Sequence, residues 1–406
     1  MERADILILG GGLVGSALGV ALSAHGLTAI IVDPADPQAI LAAGHDGRAS
    51  AIASAPMRML EAIGVADRLA GRGTPITGIR VSDGLAPGKL DFAPDPGETA
   101  LGTMVQNRDL RAALHAAAGA APEVDLRMQT RAVAVERGPH GVTATLSDGA
   151  TVAAPLLIAA EGRGSPTREA AHLRVARWHY DHAALVATIG HSVPHDGIAY
   201  EIFYPTGPFA ILPLTDDDAG HRSAIVWSVH RDDAPGWMKL SDRGWLAEVE
   251  ARMGGVLGRL TSLSARSSYP LVFHHAARIT ADRLALVGDA AHGIHPIAGQ
   301  GVNVGFRDVA TLTEVLVEGK RLGMDLSDPQ LLARYERWRG LDTFMVALAT
   351  DTLTRLFGIP GETAAAARRF GLDAVDRLPA LKRAFMAEAR GESGDVPRLL
   401  RGLTVG

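Results

Sequence analysis

Gly10-Gly11-Gly12-Leu13-Val14-Gly15 constrains this chain more than any other segment, because it joins a strand pattern to a helix pattern. Residues 5–9 read as a buried apolar strand and residues 16–25 as a helix rich in Ala and Leu. Residues 28–32 read as a β-branched strand that ends at Asp33. In this setting Gly10 permits a tight turn, Gly12 lets backbone approach a pyrophosphate, and Gly15 allows close helix–strand packing. The helix start offers unpaired N–H groups and the positive end of a dipole to phosphates. Asp33 stands where a carboxylate can hydrogen-bond a ribose hydroxyl. The competing reading is a glycine-rich turn with an incidental Asp, and the βαβ context favours dinucleotide binding.

Two later segments complete the pattern. At Leu157-Ile-Ala-Ala-Glu161-Gly162-Arg163 a strand runs into a small-residue turn, where Glu161 serves either a cofactor or the turn itself. At Leu284-Ala-Leu-Val-Gly288-Asp289 a hydrophobic strand delivers Gly288 and Asp289, with Asp289 suited to a ribityl hydroxyl. A loop through His295, Pro296 and Gly299 then leads to a helix starting near Gly301. The positive end of that helix would favour the negative charge of a reduced flavin. Three separated pieces thus read as one FAD site.

Composition removes several alternatives. The sequence holds no cysteine, which excludes disulfides, thiolate ligands, sulfur-linked flavin and a Cys nucleophile, and fits a reducing cytoplasm. Net charge is −5 with no basic block, so nucleic acid is not an expected partner. His274-His275 and His179 with His182 resemble ligand pairs but lack a third ligand at fitting spacing, so no metal is expected. The apolar run over residues 6–32 contains repeated Gly and lacks a basic start, so it reads as strand and helix and not as a membrane span.

With 406 residues, two or three domains are expected. Residues 50–72 read as helix and 107–118 as another. Residues 126–136, 142–146 and 151–160 read as strands, 183–232 as a mostly antiparallel sheet, and the chain beyond about 330 as mostly helical. Trp227, Phe203 and Phe209 fall on strands of that sheet. They suit either a pocket for an apolar aromatic substrate or a core. His292 and His295 are acid/base candidates or turn caps, and Pro296 shapes either the flavin face or a rigid turn.

These motifs occur in the order found in FAD-dependent aromatic hydroxylases of the p-hydroxybenzoate hydroxylase class, and the chain most resembles the ubiquinone-biosynthesis branch of polyprenylphenol hydroxylases. Asp46-Gly-Arg48-Ala49-Ser50, the run from Phe203 to Pro213, Tyr269-Pro-Leu271 and the tail around Leu381 to Met386 extend the resemblance over essentially the whole chain. It implies an α/β fold with a Rossmann-like FAD-binding domain, an inserted β-sheet substrate domain and a helical C-terminal region. The expected FAD-binding pieces are 1–75, 106–180 and 276–340. The substrate domain is expected over 76–105 and 181–275, and the helical region over 341–406.

The resemblance further implies that Arg48 and Gln106 contact FAD, with Gly301, Val302 and Asn303 beneath the isoalloxazine. Leu13, Val14, Ala49, Val133 and Gly299 complete the expected contacts, and His295 with Pro296 the expected catalytic loop. One departure is Glu161-Gly162, where this class usually carries Asp-Gly. The implied activity is ring hydroxylation of a polyprenylated phenol by dioxygen through a flavin hydroperoxide, with NADPH or a protein donor as reductant. Alternatives are another hydroxylase, an epoxidase or a prenyl reductase on this scaffold, or a flavin-binding subunit without turnover. A cytoplasmic protein is implied. Contact with the inner membrane or other ubiquinone-biosynthesis proteins through the tail, and a homo-oligomer, are left open, with a helical cap favoured for the tail.

Overall fold

The computed structural model describes residues 1–42, 47–85, 89–293, 301–340 and 378–405. Its centre is a six-stranded sheet assembled from three distant parts of the chain. Leu284–Leu286, Leu156–Ala159, Ile6–Leu9, Ala29–Val32 and Val124–Arg127 lie side by side and parallel, with the short Thr280–Ala281 strand antiparallel at one edge. Ile6–Leu9 and Ala29–Val32 are buried at every position. That is the mark of parallel strands covered on both faces, and it explains why they read as unbroken apolar runs. The Leu13–Ser23 helix lies so close that a Cβ on Gly19 would sit 2.4 Å from Ile31 Cδ1.

A second, nine-stranded sheet is mostly antiparallel. Its main strands are Val175–His191, Ile198–Tyr204, Gly207–Asp217, Gly220–His230 and Ser267–Ala276, extended by Gly78–Asp83 and Lys89–Phe92. Alternation divides each strand between two faces. Leu185, Ile202, Phe209, Ile211, Ile225, Trp227 and Val229 form a core with Trp245 and Val249 of the Asp242–Met253 helix. The other face carries Ala184, Val186, Glu201, Ala210, Leu212, Ala224 and Val226 and stays open to a cavity.

Three expectations change. Residues 49–53 are a strand, Ala49–Ala53, before the Ser54–Ala62 helix, because Gly102–Gln106 pairs with it across the fold. Residues 126–136 are not one strand. Val124–Arg127 and Ala132–Gly138 belong to different sheets, and Gln129 breaks the run at a φ of 56°. Phe209 and Trp227 do not line the cavity. They point to the covered face, where Trp227 lies 4.7 Å from Trp237 and 6.0 Å from Trp245 between ring centroids, with the Arg252 guanidinium 4.2 Å from its ring. Phe203 shares the face of Glu201 by alternation, yet it is buried outside the cavity wall.

Beyond the Gly301–Arg321 helix, residues 329–340 are helical. In the tail the described helices are Pro379–Arg390 and the short turn Arg398–Arg401. Phe344, Leu348, Leu353, Leu356 and Phe357, the apolar residues of the tail segment for which the sequence leaves membrane contact open, lie outside the described residues. Among the described residues no helix is long and apolar enough to cross a membrane.

Trp227→Ala should lower unfolding free energy by about 3–5 kcal/mol, the usual cost of removing a buried aromatic. Flavin content per folded molecule should not change. Urea unfolding and visible absorbance check this; lost flavin with unchanged stability would return Trp227 to the cavity.

Candidate functional site

The three motifs converge on a cavity of about 380 Å³ between the two sheets. Gly12, Leu13 and Val14 form one wall, where the Leu13–Ser23 helix begins. The glycines there differ in surroundings. A Cβ on Gly10, whose φ is 106°, would lie 2.4 Å from the Ala160 carbonyl oxygen, and one on Gly15 would lie 1.8 Å from that of Gly10. Neither position admits a side chain. A Cβ on Gly12 would meet nothing within 4 Å. Packing therefore demands the first and third glycines, while the second faces open space beside helix N–H groups.

Asp33 Oδ2 accepts the Gly11 N–H at 2.6 Å and Oδ1 accepts that of Ala35 at 2.8 Å, which fixes the carboxylate at the end of its strand. Gly162 and Arg163 line the cavity, whereas the Glu161 carboxylate turns to its own loop. It accepts the Ser165 hydroxyl at 2.5 Å and the Thr167 N–H at 3.2 Å. In this structure Glu161 serves the turn.

Asp289 is on the cavity wall and pairs with Arg163 at 3.0 Å. Behind it, His274 Nε2 lies 2.7 Å from the Asp289 carbonyl oxygen; desolvation outweighs that contact and lowers the His274 pKa to about 4. Gly288 donates its N–H to Asp308 Oδ2 at 2.8 Å. Asp308 has no exposed surface, and its second oxygen accepts the Arg339 Nε–H at 2.6 Å while His292 Nε2 lies 2.7 Å from the first. Burial alone would raise the Asp308 carboxyl, but His292 and Arg339 prevail and hold it below the usual range. The stability this contributes is present above the ordinary carboxylate pKa and is lost as pH falls through the lowered one.

Gly301 and Val302 also line the cavity. Asn303 is held instead by the Ala49–Ala53 strand: its Nδ2 donates to the Ala51 carbonyl at 2.8 Å and its Oδ1 accepts the Ala53 N–H at 3.1 Å. His295, Pro296 and Gly299 lie outside the described residues. Arg48 and Ala49 reach the cavity, the Arg48 guanidinium 5.2 Å from the Tyr269 ring. Gln106 does not; it borders a separate cleft with Arg72, Asp109 and Arg222, while the next residue, Asn107, lines the main cavity and accepts the Ser50 hydroxyl at 2.7 Å. Val133 sits at a bulge in another sheet and is 58% exposed, away from the cavity.

Sequence reasoning missed Asn107, Arg111, Arg163, Asp308 and Glu201. The signal for Asp308 was a charged pair, Arg307-Asp308, in a helix whose first half otherwise carries no charge. For Glu201 it was one carboxylate in the strand Ile198–Tyr204. Glu201 is buried against the cavity, and desolvation alone pushes its carboxyl up to about 7.

The residues present fit FAD. Gly12 leaves room at a helix start, Asp33 is set at a strand end, and Asp289 with Gly301 and Val302 brackets the far side. Arg48, Arg111 and Arg163 bring positive charge to the wall, as a pyrophosphate requires.

Comparison with known proteins agrees. The FAD binding domain family matches residues 3–341. A ubiquinone hydroxylase of Rhodospirillum rubrum (UbiL) is 46% identical over 98% of this chain and 93% of its own length. The 3-demethoxyubiquinol 3-hydroxylase of Escherichia coli is 33% identical over 96% and 99%. Among solved structures, p-nitrophenol 4-monooxygenase PnpA from Pseudomonas putida superposes with a TM-score of 0.77 at 18% identity, covering 97% of this chain and 100% of its own, which shows a shared fold.

Gly305 gives a direct test of the wall. A Cβ there would sit 2.6 Å from Val14 Cγ2. Gly305→Ala should weaken FAD binding to the apoprotein about tenfold, and adding Val14→Ala should recover most of it, a coupling of about 1–2 kcal/mol. Flavin fluorescence titration reads both; independent, additive effects would exclude this contact as the cause.

The match along the chain, the shared fold and the convergence of the three motifs on one cavity have a single meaning: the chain belongs to the FAD-dependent hydroxylases of ubiquinone biosynthesis and is a flavin monooxygenase.

Proposed function

We propose that this enzyme hydroxylates the aromatic ring of a polyprenylated phenol or quinol. In this reading Gly12, Leu13 and Val14 hold the FAD pyrophosphate, Asp33 a ribose, Asp289 the ribityl chain, and Gly301 with Val302 the isoalloxazine. Reduced FAD activates dioxygen and supplies the oxygen atom. The protein binds the ring in the apolar half of the cavity, excludes water and manages protons. NADPH or a protein donor supplies the electrons, and the substrate's chain brings the enzyme to a membrane surface.

One observation carries the substrate class. Where the nine-stranded sheet meets the cavity, the wall is Ala184, Val186, Pro208, Ala210, Leu212, Ala224 and Val226 with Ser228 and the run Tyr269 to Val272, and among the described residues its one charged group is Glu201. Among these residues there is no cation to bind an aromatic carboxylate, and Glu201 would repel one. A neutral, apolar ring suits this wall.

Bacterial strains each lacking one ring hydroxylase of the ubiquinone pathway, supplied with this gene, test the reading by mass spectrometry of their quinones. Restored ubiquinone in one strain, with loss of its accumulated intermediate, is the expected result and names the ring position. No rescue from a soluble, yellow protein would overturn it in favour of another flavin hydroxylase or a subunit without turnover.

A further inference from the structure

Among the described residues Glu201 is the one carboxylate on the sheet side of the cavity, and its environment is unusual. It is 8% exposed. Among the described residues no hydrogen bond or ion pair reaches its side chain. On the sheet its neighbour on one side is Ala210 and on the other Val81. A carboxyl buried beside apolar groups is costly to keep unless something else satisfies it, and a structural role would be served at less cost by an apolar residue. The group that could satisfy it must enter through the cavity. The same cavity is lined by Gly301 and Val302, the residues assigned to the flavin.

We propose that Glu201 receives the ring hydroxyl of the bound substrate and takes its proton as the ring is attacked. This rests on the phenolic substrate proposed above. In the step the substrate O–H bond breaks, its electron pair stays on the ring oxygen, and the proton forms a new O–H bond on the Glu201 carboxylate. Neutral phenol and carboxylate become phenolate and carboxylic acid, with no change of oxidation state. Charge placed on the ring oxygen makes the ortho and para carbons better nucleophiles for the oxygen that reduced FAD and dioxygen supply. The proton leaves to solvent when product departs.

Burial favours this role. A carboxyl near 7 is a stronger base than an exposed one, closer to a phenol's value of about 10. Among the described residues, the other titratable or charged groups around it are Arg48, Arg111, Arg163, Tyr269 and Asp289 on the cavity wall. Asp83 lies on the neighbouring Gly78–Asp83 strand, and Lys382 sits 5.8 Å from the Phe92 ring. Burial is the only cause that displaces the Glu201 carboxyl, so none of these charges sets it.

The test uses the FAD-loaded enzyme and 2-prenylphenol, a phenol bearing one isoprenyl unit, with two separate readouts. The first is the initial rate of hydroxylated-product formation by reduced enzyme mixed with oxygen, between pH 6 and 9. The wild-type rate should rise as pH climbs through about 7, where Glu201 ionises, and Glu201→Gln should lose that rise while Glu201→Asp keeps part of it. The second is product against hydrogen peroxide after one turnover of chemically reduced enzyme mixed with oxygen. Glu201→Gln should keep its flavin, yield about a hundredfold less product and release peroxide instead. A pH-dependent rise that persists in Glu201→Gln, or a product yield that this variant leaves unchanged, overturns the proposal alone. No product from the flavin-loaded wild type at any pH overturns the hydroxylase reading and the proposal with it.

Discussion

The Asp308 carboxylate is the interaction on which the rest of the site depends. It has no exposed surface, yet it binds a backbone N–H at Gly288, the Arg339 guanidinium and His292. An unpaired carboxylate in that position would be prohibitively costly, whereas a fully bonded one locks its partners in place. The partners come from the end of a central strand, from the residues after it and from the helix over residues 329–340. Tyr335 of that helix adds a second tie, donating its hydroxyl to the Leu286 carbonyl at 2.8 Å. Because Asp308 lies on the Gly301–Arg321 helix, these bonds set Gly288, Asp289, Gly301 and Val302 in one relation. Gly305 on the same helix then lets Val14 pack closely, which joins the first motif to the third. Two sequence motifs far apart become one site through one buried charge.

The nine-stranded sheet answers a different demand. One face is sealed by the tryptophan cluster and its helices, so its stability does not depend on what enters the cavity. The opposite face can therefore stay lined with small side chains, Ala184, Ala210 and Ala224, that leave volume for a ring. Rigid packing behind a spare, apolar front is what a binding wall requires.

What the sequence made legible was local. The glycine turn, Asp33, Gly288-Asp289 and the helix from Gly301 are each set by neighbours a few residues away, and each was readable as backbone chemistry. The orientation of side chains across the fold was not. Periodicity of two separates Phe209 from Ala210 but does not say which of them faces the cavity; large aromatics attracted the assignment, and the wall proved to be the alanines. The same alternation at the end of Gly102–Gln106 sends Gln106 to a separate cleft and Asn107 to the main one. Residues 50–53 carry a helix pattern yet belong to the strand Ala49–Ala53, because the partner that makes them a strand lies some fifty residues on, beyond any local pattern. Resemblance placed Asn303 under the flavin ring; here its amide is spent on Ala51 and Ala53, so it positions the helix through the strand.

Glu201 connects these threads. In an alternating strand, a carboxylate on the apolar side breaks the pattern that otherwise dictates the sheet, and such breaks concentrate where function overrides stability. Ionising it above about pH 7 costs folding free energy, because a carboxyl with a raised pKa contributes stability that is lost as pH climbs from its unfolded to its folded value. A fold that seals one face with tryptophans can bear that cost on the other. The cofactor carries the oxidation, so what the protein has left to supply is a dry wall and one proton acceptor. The sheet provides both, the acceptor from Ile198–Tyr204 and the wall from the neighbouring strands.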